Sequence, residues 1–265
     1  MDKVETNTKS LTLDVCGDEP NTQKMMRKYW QERAFSWYSD YQLEDLKAIN
    51  SQIVDFLPNH CLNVLDAGTG TGEVAASMAV LGNKVTGVDL CSNMIDAAKK
   101  AADRLGLDIT YLVSPVDKLP FEDSVFDLVI SRNLTWALSN PEDTFKEWRR
   151  VLKPGGMLIY WDGNYYLYHY DEKANEARKI IKEKSMKFHK GKSFDSSLCD
   201  DTAADLPLSK YDRPYEWDNK VLPNLGFEII YESIFKPQNL IKFGIYDQGY
   251  CSNFQIIAKN GKIAE

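Results

Sequence analysis

The feature that most constrains this chain is the stretch from Asn63 to Ala75, where an apolar run stops at three alternate glycines and a helix-compatible run takes over. Cys61 to Ala67 is short, apolar and bounded by glycine, which reads as a buried strand. Gly68, Gly70 and Gly72 carry no Cβ, so a tight turn can lay bare backbone against a ligand. Glu73 to Leu81 reads as a helix whose first amide groups face that ligand. A strand, a glycine turn and a helix in this order point to a nucleotide-like ligand.

A second apolar run, Val85 to Val88, ends in Asp89. That is about 20 residues beyond the first glycine, where a carboxylate can accept ribose hydroxyls. A dinucleotide fingerprint would want its third glycine at position 73. The residue there is Glu73, which would repel a pyrophosphate at the helix start, and no Lys-Ser/Thr pair of a P-loop follows the turn. An NAD-dependent dehydrogenase is disfavoured on that ground. Asp66 and Glu73 instead suit a ligand with positive groups near the turn. S-adenosylmethionine carries a sulfonium and an ammonium, and its ribose would reach Asp89.

The motifs VLDAGTGTG (64–72), GVDLCSNMIDAAKK (87–100), LPFEDSVFDLVISRN (119–133) and EWRRVLKPGGMLIY (147–160) extend the pattern. In order and spacing the chain resembles the class I S-adenosylmethionine-dependent methyltransferases. It is most similar to the small-molecule branch that includes the ubiquinone and menaquinone C-methyltransferases. The resemblance implies a doubly wound, Rossmann-like α/β fold with seven strands, mostly parallel and closed by an antiparallel hairpin. It also implies that an N-terminal segment folds over the methionine end of the cofactor.

Along the chain, residues 1–20 are polar and unpatterned and are expected to be a flexible tail. Residues 21–265 read as a single domain. Within it, 21–57 form a helical cap, 58–163 and 221–262 the Rossmann-like core, and 164–220 an inserted lid. The cap pattern starts at Thr22 and is dense in aromatics from Tyr29 to Tyr38, and a second helix is predicted over Leu43 to Phe56. Ser92 is the expected N-cap of the helix after Asp89. Ile109–Val113, Phe126–Ile130 and Met157–Trp161 are expected strands. Asn140-Pro141-Glu142-Asp143 is a helix start, and that helix is expected to end at Lys153-Pro154-Gly155-Gly156. In the lid, Glu172 to Lys192 reads as a charged helix with a solvated face, and Ser193 to Arg213 as a loop. A helix over Tyr215 to Leu225 and strands over Phe227–Phe235 and Phe254–Lys259 complete the chain.

The 265 residues can bury a full core without disulfides or metals. A net charge of −7 argues against a nucleic-acid partner. Five scattered cysteines with no CxxC and no zinc spacing read as reduced thiols of a cytoplasmic protein, with no metal site. The N-terminus lacks the apolar segment of a secretory signal, and no run of about 18 apolar residues is present to span a membrane. A monomer and a homodimer are both compatible with the sequence.

The resemblance assigns roles residue by residue. Gly68, Thr69, Gly70 and Gly72 line the methionine moiety, with Asp66 beneath it and Tyr29 and Arg33 of the cap closing over it. Asp89 takes the ribose, and Leu90 and Met94 pack the adenine. Relatives often carry Gly-Asp-Ala before the Leu-Pro-Phe motif, whereas this chain has Ser114-Pro115-Val116. Pro115 offers neither a carboxylate nor an N–H, so adenine is left to Ser114, the Val116 backbone or Asp117. Asn133 lies where relatives contact the methionine end or the substrate.

The candidate groups at the C-terminal strand edge are Arg132, Asn133, Trp136, Trp161, Asp162, Tyr165, Tyr166 and His169. Of these, Asn133, Tyr165 and His169 are the catalytic candidates. His60 lies at the wrong end of the sheet, and His189 lies in the charged helix. The aromatic segments Tyr29–Tyr38 and Trp161–Tyr170 are expected to meet over the cofactor and enclose a ring-bearing or cationic small molecule. An RNA or DNA methyltransferase is the rival enzyme, but its Pro-Pro motif position reads Ser131-Arg132-Asn133-Leu134. A non-catalytic S-adenosylmethionine-binding protein is the other alternative.

Overall fold

The computed structural model describes residues 21–33, 40–188, 197–235 and 253–261. The expected tail, the aromatics from Phe35 to Tyr38 and His189 lie outside the described residues.

Seven strands form one sheet: β1 (Asn63–Ala67), β2 (Lys84–Asp89), β3 (Thr110–Val113), β4 (Phe126–Arg132), β5 (Leu152–Gly163), β6 (Phe227–Phe235) and β7 (Asn253–Asn260). Their order is β3-β2-β1-β4-β5-β7-β6. The first five pair in parallel, and β7 inserts antiparallel between β5 and β6. The chain therefore winds outward from β1 in both directions. The gap between β1 and β4 is the topological switch point at which α/β sheets bind ligands.

Period-two alternation builds a core on each face of the sheet. Leu65, Leu158 and Tyr160 join Phe126, Trp148 and Phe254 on one face. Val64, Ile159 and Trp161 join Met78, Val85 and Ile95 on the other. Fully burying such a side chain contributes roughly 1.5–3 kcal/mol.

The helices are α1 (Asn21–Arg33), α2 (Leu43–Asn50), α3 (Glu73–Val80), α4 (Ser92–Leu105), α5 (Pro141–Val151), α6 (Glu172–Phe188), α7 (Ser197–Ala204) and α8 (Asp218–Asn224). α4 stops at Gly106 in the left-handed conformation. α5 has Pro141 in its first turn, Glu142 and Asp143 on the positive end of the dipole and Arg149 and Arg150 on the negative end.

Several elements differ from expectation. The second helix stops at Asn50, because Ser51 and Gln52 both donate side-chain hydrogen bonds to the Ala48 carbonyl and compete with the next turn. A separate 3-10 turn covers Val54–Phe56. Ser92 is the first helical residue of α4 and Cys91 holds the cap position, its amide taken by Asp89. α5 ends at Val151, just before the expected stop, and Lys153–Gly156 lies within β5, where the pairing with β4 passes from Leu152 to Met157. The expected loop of the lid contains α7, and α8 starts later than expected, at Asp218. Among the described residues no helix is long and apolar enough to cross a membrane.

Candidate active site

A cavity of about 730 Å³ opens over the C-terminal ends of β1, β2, β4 and β5. The glycine turn forms its floor, and the three glycines are required for different reasons. A Cβ on Gly68 would stand 2.6 Å from the Leu134 side chain, and one on Gly72 would stand 2.5 Å from the Tyr111 hydroxyl. A Cβ on Gly70 would meet nothing within 4 Å, so this glycine alone of the three keeps open space for a ligand. Its φ of +52° also suits glycine.

Asp89 closes the turn from β2. One carboxylate oxygen accepts the Cys91 amide and the other the Gly70 amide, both at 2.9 Å. Burial raises its pKa and those amides oppose the rise. Asp89 also lines the cavity, so its carboxylate faces the space a ligand would fill. Asp66 is buried at the end of β1 and accepts the Thr69 hydroxyl at 2.6 Å. Burial pushes its pKa up to about 6, against the pull of Thr69 and Arg132. Glu73 lines the cavity but is not a lone charge there, since it forms an ion pair with Arg132 on the same lining.

The structure brings Asp66, Gly68, Thr69, Gly70, Asp89, Leu90, Met94, Val116, Asn133 and Tyr165 into the lining of this one cavity. Gly72 lies behind it, against Tyr111. Ser114 is buried off the wall, its amide donating to the Asp89 carbonyl and its hydroxyl to Pro115. The Val116 carbonyl accepts the Trp148 indole, and Pro115, Val116 and Asp117 line the cavity at that end.

Tyr29 is also off the wall. It packs with Met26, Trp136, Ala203 and Leu206 between the cap and the lid. The side chain of Arg33 lies outside the described residues. The face of α1 that lines the cavity is Gln23, Met26, Arg27 and Trp30. Their spacing is that of one helical stripe, a signal present in the sequence but hidden beneath the aromatic count.

On the opposite side, Asn133 adopts a left-handed φ of +56°. Its side-chain oxygen accepts the Tyr165 hydroxyl at 2.7 Å, and its carbonyl accepts the Trp136 indole at 3.0 Å. Burial raises the Tyr165 pKa, and the Asp162 charge adds to the rise. His169 is not brought to the wall; it packs against Tyr166 and Tyr168 on a 3-10 turn.

The two aromatic segments do meet, through Trp136, whose ring centroid lies 6.5 Å from Trp30, 6.1 Å from Tyr165 and 4.9 Å from Tyr166. Trp161 belongs instead to the core. The lid adds Arg178, its guanidinium 3.5 Å above the Tyr168 ring and paired with Asp200 at 2.7 Å. All three line the cavity. Sequence reasoning missed Arg178 and Asp200 because it read α6 as solvated and α7 as loop, whereas Tyr168 lies in the expected aromatic segment.

Residues 65–160 match the family model described as methyltransferase domain. The chain is 31% identical over 129 residues to a ubiquinone biosynthesis O-methyltransferase of Chromobacterium violaceum, a match covering 47% of this chain and 56% of that protein. It is 33% identical over 122 residues to a sterol 4-C-methyltransferase of Caenorhabditis elegans, covering 45% of this chain and 36% of that one. The chain thus spans about half or less of the length of these two curated relatives. Among solved structures, magnesium protoporphyrin IX methyltransferase from Synechocystis with bound S-adenosylhomocysteine superposes with a TM-score of 0.59 at 16% identity, covering 91% of this chain and 100% of that one. Motif order, sheet topology and these matches agree: residues 65–160 are similar to a methyltransferase domain, and the chain shares the fold of the methyltransferase structure on which it superposes.

Proposed function

We propose that this chain transfers a methyl group from S-adenosylmethionine to a small-molecule acceptor. The observation that carries the proposal is the continuity of one cavity, which joins the glycine turn and Asp89 to an aromatic wall. The cofactor fits the residues present. Gly70 leaves room for ligand against bare backbone, Asp89 lines the same space, and Asp66 lies beside the turn. When bound, the cofactor supplies a methyl group on a positive sulfur, open to displacement in line.

The chain's own residues then bind and position. Asp89 accepts the ribose hydroxyls in charge-assisted bonds. Leu90 and Met94 flank the adenine, which Val116 and Asp117 border. Trp30, Trp136, Tyr165 and Tyr166 exclude water and favour an acceptor that is ring-bearing or cationic. Tyr165, with its raised pKa, stays a neutral donor to Asn133 near pH 7. That bond fixes the Asn133 amide, whose N–H groups can hold a polar atom of the acceptor. Orientation of this kind can supply roughly 7–11 kcal/mol of a barrier, so a strong general base is not required.

The test is transfer of a labelled methyl group in the presence of a small-metabolite extract. A labelled small molecule, absent without protein, is expected. Cofactor binding with no labelled product would leave a binding protein, and label in added RNA would favour the nucleic-acid reading.

A further inference from the structure

Trp136 joins the two aromatic segments, yet it sits on a 3-10 turn of only three residues, Thr135–Ala137. So short a turn has few hydrogen bonds of its own. The turn is held from below by Asp162, near the end of β5. Asp162 accepts the Trp136 amide at 3.0 Å, the Thr135 hydroxyl, and the Gly163 amide at 2.8 Å. It is fully buried and does not line the cavity.

Arg213, also buried, donates to the Thr135 oxygen at 2.9 Å. It also grips both oxygens of Asp218, at 2.8 and 2.6 Å. Asp218 in turn accepts the Tyr160 hydroxyl at 2.6 Å. Two buried carboxylates and a buried guanidinium carry a desolvation cost, and such groups are a poor way to gain stability. What they supply here is geometry, because one carboxylate with three donors fixes the turn and the backbone of Trp136.

We infer that Asp162, braced by Arg213 through Thr135, is a positioning residue for the methyl acceptor. It sets the angle of Trp136, and through that ring the faces of Trp30, Tyr165 and Tyr166, without touching the cofactor. The kinetic consequence rests on the methyltransferase reading; the structural consequence does not.

The test uses the full chain with Asp162→Asn, which keeps the size of the side chain but cannot serve all three donors. Thr135→Val removes one strut and carries the same readings if Asp162→Asn does not fold. The indole N–H resonance of Trp136, assigned by its loss in Trp136→Phe, should shift or broaden in both variants. Affinity for S-adenosylhomocysteine, by calorimetry, should stay within about threefold of wild type, while KM for the labelled acceptor rises about tenfold or more and kcat changes less. An unmoved Trp136 resonance overturns the inference. So does an unchanged KM beside a moved resonance, or a cofactor affinity that falls in step with KM. If the wild-type chain binds no S-adenosylhomocysteine, the methyltransferase reading fails separately, and the Trp136 resonance alone decides whether Asp162 positions the ring.

Discussion

The two sides of the cavity are built by opposite means. The cofactor side is backbone and carboxylate: a glycine turn on β1, and Asp89 on β2 tied to it through the Gly70 amide. Its parts lie close together in sequence and rest on central parallel strands. The acceptor side is side chain against side chain. It is drawn from α1, the turn after β4, the segment after β5 and the lid helices α6 and α7. The contrast suggests a division of labour. The first side reads a fixed ligand by local geometry and the second encloses a variable one, and the two touch where Trp30 packs on Cys91 and Met94.

The largest effect should come from breaking the floor. Gly72→Val combines a φ of +84° with a Cβ 2.5 Å from the Tyr111 hydroxyl. Strain and overlap together should cost about 3–5 kcal/mol, read as a lower midpoint in denaturant. Gly70→Val meets no such overlap and should cost only about 1–3 kcal/mol of strain while abolishing detectable cofactor binding. Equal losses of stability would mean that the open space at Gly70 does not exist.

Asp66 offers a second test, in which stability and binding move in opposite directions. Its pKa is raised from 3.8 to about 6 in the folded chain by burial. The folded state therefore holds this proton more tightly than the unfolded state. No cost arises below about pH 4, where both states are protonated. The cost grows as pH rises towards 6 and is complete above it, at roughly 3 kcal/mol. Asp66→Asn should therefore be more stable than wild type at pH 7.5, by up to that amount, and equal to it near pH 3.5. Chemical unfolding at the two pH values checks this. Cofactor affinity should fall in the same variant if the carboxyl serves the ligand's ammonium.

Smaller effects should mark the acceptor side. Trp30→Ala and Tyr165→Ala should raise KM for the acceptor, or lower methyl transfer, about tenfold, and change cofactor affinity by less than about threefold. Variants that lost only stability would reduce the aromatic wall to ordinary packing.

The same contrast explains what the sequence made legible. Gly68, Gly70 and Asp89 could be placed from spacing alone, because a strand, a turn and the next strand fix one another within a few turns of chain. The strands of the hairpin were legible too, since β6 and β7 carry dense apolar runs. The roof was not. Gln23, Met26, Arg27 and Trp30 share a helical face that mixes polar with apolar residues, so no hydrophobic stripe announces it. Ala174, Arg178 and Ile181 of α6 do the same within a lysine-rich helix. Ser114 and His169 were placed on the wall by position in the chain, but their side chains are engaged elsewhere, Ser114 with Pro115 and His169 with Tyr166 and Tyr168. Which way a single side chain turns is a tertiary fact that spacing does not carry. Glu73 is similar: its partner Arg132 lies 59 residues away in sequence, so the ion pair was not legible from spacing.

The most direct test of the central claim is calorimetric titration of S-adenosylhomocysteine into the wild-type chain and into Asp89→Ala. The account predicts one site of micromolar or better affinity in the wild type. It predicts at least a tenfold loss in a folded Asp89→Ala, since each charge-assisted bond to the ribose is worth about 1.5–3 kcal/mol. No binding to the wild type, binding of NADH in its place, or unchanged affinity in the variant would contradict it.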